Sequence, residues 1–106
     1  MSWDVSVVVP YVYTVNESVY DRNVTWNNQA LFFKALGCGF RDLHGRPAAE
    51  VLPLVEHALE DIAAHRADYA ALAPDNGWGG IDDVLDVLRG LQDACTAYPD
   101  AVVRVE

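Results

Sequence analysis

The chain has 106 residues, 52% of them hydrophobic, and at 11.7 kDa it has the size of one domain able to bury a core without staples. Sixteen acidic residues against seven basic ones leave a net charge of −9, which argues against an electrostatic grip on nucleic acid or on an anionic membrane. Two cysteines, Cys38 and Cys95, make no disulfide framework and read as reduced thiols serving as small core residues.

Met1-Ser2-Trp3-Asp4 lacks a basic n-region, and no apolar run approaches the roughly 20 residues of a membrane span. The expectation is a cytoplasmic protein that does not enter a membrane. Residues 5–14 are rich in β-branched and aromatic types and predict a strand. Val5, Val7, Val9, Tyr11 and Tyr13 form its apolar face, while Val8 and Val12 make the other face only partly polar. Pro10 implies an edge, bulge or bend. Turn residues Asn16 to Ser18 then predict a hairpin, with a second strand across Val19 to Val24.

Helical spacing begins near Asn27 or Asn28, with Thr25 and both asparagines acceptable as N-caps. Its apolar stripe is Leu31, Phe32, Ala35 and Leu36, and Gly37 stops it. Residues 38–46 read as a loop. A long helix follows, with Pro47 in its first turn and apolar positions from Val51 to Ala63 at i, i+3, i+4 and i+7. Pro53 inside this run predicts a kink or a split. A short helical segment over 67–73 precedes Pro74. Gly77, Gly79 and Gly80 mark special backbone that launches a last helix striped by Ile81, Val84, Leu85, Leu88, Leu91 and Cys95. Pro99 ends it, and Ala101 to Val105 predicts a final strand. The fold class is α+β: a small antiparallel sheet, made of the N-terminal hairpin and the C-terminal strand, with about three helices on one face.

Candidate chemistry is sparse. His57, Asp61 and His65 share one helix face, but an eight-residue gap separates the histidines by about 12 Å, too far for one metal. No metal and no cofactor are therefore expected. Asp75 to Asp83 lacks both the alternating oxygens of a calcium loop and the lysine of a phosphate loop, so it reads as a structural turn under Trp78. The amides from Asn23 to Gln29 surround Trp26 and offer either a helix cap or hydrogen bonds to a small ligand. His44 beside Cys38 raises a Cys–His pair that no recognisable motif supports.

Several stretches together resemble a family. They are Asn23-Val24-Thr25-Trp26-Asn27, Pro47 to Pro53, Tyr69 to Leu72, Asn76-Gly77-Trp78-Gly79, and the tail from Ala94-Cys95 through Pro99-Asp100-Ala101-Val102-Val103. The chain is similar over these residues to small acidic uncharacterised proteins of bacteriophages, prophages and actinobacteria. That resemblance implies an accessory protein acting on a host component and carries over no catalytic residue. Trp3, Tyr11, Tyr13, Tyr20 and Trp26 crowd the first quarter with residue types that anchor interfaces. The functional expectation is a non-enzymatic protein that binds a protein partner and forms a homodimer through its N-terminal β region. Tyr11, Tyr13, Trp26, Asn27, Asn28 and Trp78 are the candidate contact residues. The alternative is a small-ligand binder or weak enzyme built on the Asn23–Gln29 amides and Trp78.

Overall fold

The computed structural model describes residues 1–9, 17–74 and 79–106, so Pro10, Tyr11, Val12, Tyr13 and Trp78 lie outside the described residues. Three strands, β1 (Ser2–Val9), β2 (Glu17–Thr25) and β3 (Val102–Val105), form one antiparallel sheet in the order β2-β1-β3. The hairpin expected from the turn residues is the β1–β2 pair, and the two ends of the described chain are neighbours across β1 and β3. Four α-helices follow the hairpin: α1 (Gln29–Leu36), α2 (Ala48–Ala64), α3 (Arg66–Ala70) and α4 (Ile81–Ala97). The fold is α+β, as the element pattern requires.

The register decides which residues face the helices. Trp3 lies opposite Val24, Val5 opposite Arg22 and Val7 opposite Tyr20, while Val103 and Val105 lie opposite Val7 and Val5 on the other side. These positions share one face because strand side chains alternate. Trp3, Val5, Val7, Val24, Val103 and Val105 are all buried there. Ser6, Asp4, Asp21, Asn23 and Arg104 fall on the opposite face. A bulge between Val7 and Val8 shifts the register so that Val8 pairs with Ser18, and Val19 is the extra residue. Val8, read from the sequence as part of an uncovered apolar surface, is only 9% exposed within the single chain.

The helices bury most of the stripes their spacing assigned, with Leu54, Leu59 and Ile81 half-buried and Ala63 exposed. Val51, Val55, Ala58 and Ile62 of α2 meet Val84, Leu88, Leu91 and Cys95 of α4, all at 1% exposure or less. Each such Val, Leu or Ile contributes roughly 1.5–3 kcal/mol on burial. α2 runs unbroken through Pro53. The amide that proline lacks would have bonded the carbonyl of Ala49, and both residues lie on the exposed side, where water can satisfy that oxygen. Pro47 sits one residue before the helix at φ −58° and ψ 144°. Its carbonyl accepts the Glu50 N–H at 2.9 Å, starting the helix from outside.

The outer edge of β3 is covered by the segment leading into α2. Gly45 N–H donates to the Val103 carbonyl at 2.8 Å, Val103 N–H to Arg46 at 3.0 Å, and Ala48 N–H to Ala101 at 2.7 Å. His44 completes the cover, its Nδ1 accepting the Val105 N–H at 2.9 Å. That bond leaves the ring proton of the neutral imidazole on Nε2. The expected 38–46 loop contains a 3-10 turn at Phe40–Leu43, both of whose apolar ends are buried.

Candidate functional site

A largely apolar open surface is built where β1, α1 and the Phe40–Leu43 turn meet. Helical periodicity turns Phe32 fully into the core and its neighbour Phe33 out, where it is 62% exposed. Gly37 ends α1 at φ 76°, and the short return through Cys38 and Gly39 brings Phe40 under α1. Asp42 accepts the Gly39 N–H at 2.9 Å and fixes the start of the turn. Phe40 then lies 4.4 Å from Phe32 and 5.2 Å from Trp3, ring centre to ring centre, and Trp3 lies 5.7 Å from Trp26. These spacings suit tilted aromatic packing. Four rings therefore run from the core to the surface.

Above them is an open groove of about 410 Å³ lined by Trp3, Gln29, Ala30, Phe33, Gly39, Phe40 and Arg41. Its walls are apolar, and Arg41 is the single charged residue among those lining it. Such a surface is suited to desolvating an apolar side chain.

A second cluster joins α1 to the start of α4. Asn28 is completely buried, donates through Nδ2 to Asp83 Oδ2 at 2.7 Å and accepts the Gly80 N–H on Oδ1 at 2.9 Å. Arg22 reaches from β2 to Asp83 Oδ1 at 2.7 Å and also pairs with Asp86. Gly79 and Gly80 have φ of 94° and 135°, and a Cβ on Gly79 would stand 2.5 Å from Asn28 Oδ1. The cluster is bonded chiefly within itself, although Asp86 remains exposed. Its amide and carboxylates are committed to the junction of β2, α1 and α4.

Asp61, His65 and His44 among the remaining sequence candidates are engaged within the fold. On α2, Asp61 accepts a hydrogen bond from the fully buried Tyr69, and His65 Nε2 lies 3.9 Å from its other oxygen. The Tyr69 hydroxyl holds the Asp61 carboxyl below the usual carboxylate range. Burial, reinforced by the Asp61 carboxylate, holds the Tyr69 hydroxyl well above its own. His57 is exposed on the same helix. His44 is the strand-edge acceptor already described. Burial pushes the Cys38 thiol up, the reverse of what an activated thiolate needs.

Of the candidate contact residues, Trp26 packs on Trp3 beside the groove, and Asn27 is exposed with its N–H bonded to Thr25 Oγ1 at 3.3 Å. Asn28 is buried in the α4 junction, and Asn23 bonds Ser2 Oγ and Asp4 Oδ1, each at 2.9 Å. Tyr11, Tyr13 and Trp78 lie outside the described residues. Phe33, Phe40 and Arg41 were missed because they fall off the helix stripe or inside a stretch read as loop. The available signals were Phe33 standing next to a core-facing Phe32, and the i, i+3 pair Phe40 and Leu43 between two glycines. No helix among the described residues is long and apolar enough to cross a membrane. No family model, curated protein or solved structure matches the chain.

Proposed function

We propose that this chain is a non-enzymatic binding protein of the phage-accessory kind, acting on a partner protein in the bacterial cytoplasm. The observation that carries this reading is Phe33, 62% exposed beside a groove walled by Trp3, Ala30 and Phe40. Exposed aromatics bordering an apolar depression are the usual anchors of protein interfaces. The resemblance to small acidic phage and prophage proteins points the same way. The ion pairs and amides of the Asn28 junction and the Asp61–Tyr69 pair already have partners within the fold, which leaves the groove as the better candidate surface.

The test is capture from a bacterial lysate with the wild-type chain and a Phe33→Ser variant, with proteins and small molecules identified together. A protein retained in stoichiometric amount by the wild type and lost by the variant, at unchanged melting temperature, supports the reading. Recovery of a small molecule alone would favour the ligand-binding class. Equal retention of the protein by both chains would move the interface elsewhere.

The proposal includes a homodimer through the N-terminal β region. Val8 no longer motivates it, being covered within one chain. Its support is β2, a nine-residue strand at the edge of the sheet with no further strand beside it among the described residues. Light scattering that gives the mass of one chain across micromolar concentrations would remove this part.

A further inference from the structure

We infer that the α1 groove selects a partner segment in which a large apolar side chain is flanked by a carboxylate. The inference rests on the reading of this groove as a docking surface and adds the chemistry of what docks there.

Charge complementarity identifies the occupant. The chain carries 16 acidic and seven basic residues, and several of the basic ones are committed. Arg22 pairs with Asp83 and Asp86, Arg66 with Asp82, and Arg104 with Glu106. Lys34 stands 5.3 Å over the Tyr69 ring. Arg41 is exposed and has no ion pair among the described residues. Its neighbour Asp42 has one carboxylate oxygen on the Gly39 N–H. Arg46 and Arg89 likewise have no ion pair among the described residues, but Arg41 is the one of the three that lines this largely apolar groove. A guanidinium is a planar fork that matches a carboxylate with two parallel hydrogen bonds.

The groove favours a peptide segment over a free anionic amphiphile. Small-molecule sites enclose most of their ligand, whereas here Phe33 lines the groove and is still mostly exposed, so the apolar surface continues outward along α1. A segment of chain can cover both, placing one side chain against Trp3 and Phe40 and its backbone across Phe33. The acid next to that anchor then meets Arg41 and sets the register. Exposed charge pairs add little affinity but discriminate well between signs.

The experiment is selection of a random peptide library on three immobilised proteins: wild type, Arg41→Glu and Phe33→Ser, with folding of each confirmed by its melting curve. The wild type is expected to enrich peptides with a large apolar residue and an Asp or Glu within two positions. Arg41→Glu is expected to replace that acid by Lys or Arg, and to bind the wild-type peptides roughly tenfold more weakly. Apolar peptides enriched with no acidic preference, or an unchanged preference on Arg41→Glu, would overturn the inference while leaving the docking surface standing. Enrichment that survives Phe33→Ser, or no enrichment at all, would overturn the docking reading itself.

Discussion

Asn28 and Asp83 are 55 positions apart and meet through a 2.7 Å hydrogen bond from the Asn28 amide to the Asp83 carboxylate. Asn28 is fully buried while Asp83 and Gly80 are half-buried, so this bond and its companion from the Gly80 N–H are made at the edge of the core. Replacing Asn28 by Ala leaves a carboxylate oxygen and a helix-end amide short of partners, at about 1–3 kcal/mol. Asn28→Asp is expected to cost more at neutral pH, because it sets a second carboxylate against the first. Urea denaturation of the two variants checks both the size and the order.

Gly79 lies directly against that same amide. Its φ is 94°, and an added Cβ would lie 2.5 Å from Asn28 Oδ1. Gly37 has φ 76° but open space around it, so Gly37→Ala should lose only the left-handed penalty of about 1–2 kcal/mol. Gly79→Ala should lose that and the Asn28 contacts as well. The difference between their unfolding free energies is the quantity to measure.

Gly90, inside α4, presents the opposite balance. Alanine is favoured over glycine in a helix by about 1 kcal/mol, yet a Cβ there would meet the Tyr20 ring at 2.5–2.6 Å. Gly90→Ala is therefore expected to destabilise despite its better propensity. The Tyr20 hydroxyl is buried without a hydrogen-bond partner among the described residues, and burial holds it above its ordinary ionisation range. Tyr20→Phe removes a desolvated polar group and should be neutral or stabilising. Opposite shifts in melting temperature for the two variants would establish this reading.

The Asp61–Tyr69 bond gives stability a dependence on pH at both ends. Asp61 is lowered, chiefly by the Tyr69 hydroxyl, so the folded chain takes up this proton less readily than the unfolded one. Its contribution is complete above the unfolded value of about 4 and is lost as pH falls through the lower folded value. Tyr69 is raised, first by burial and then by Asp61. Its contribution is present below about pH 10 and erodes above it, where the unfolded chain ionises and the folded one does not. Tyr69→Phe should flatten both limbs of a plot of denaturation midpoint against pH.

The two thiols should differ in reactivity. Cys95 is fully buried, and burial raises its thiol to about 11; Cys38 is only partly buried and is raised by the same cause. A chromogenic thiol reagent is expected to modify one cysteine slowly in the folded protein and the second only in denaturant. Equal rapid reaction of both would show that α4 opens far more readily than its packing implies.

Much of the architecture was legible in the sequence because it rests on local periodicity. The hairpin, the stripes of α2 and α4, the stop at Gly37 and the return of the C-terminal strand all follow from residue spacing and turn chemistry. The same reasoning placed Asn28 at a helix start and Gly79 and Gly80 before α4. It could not join them, since a bond across 52 or 55 positions depends on how helices cross rather than on any local pattern. The groove was hidden for the same reason. Nothing near Arg41 in the chain reveals that Trp3 lies against the Phe40 ring beside it, because only the packing of β1 under the Phe40–Leu43 turn brings them together. Periodicity determined which faces are buried; the tertiary structure decided which exposed residues adjoin, because that depends on contacts between segments far apart in the chain.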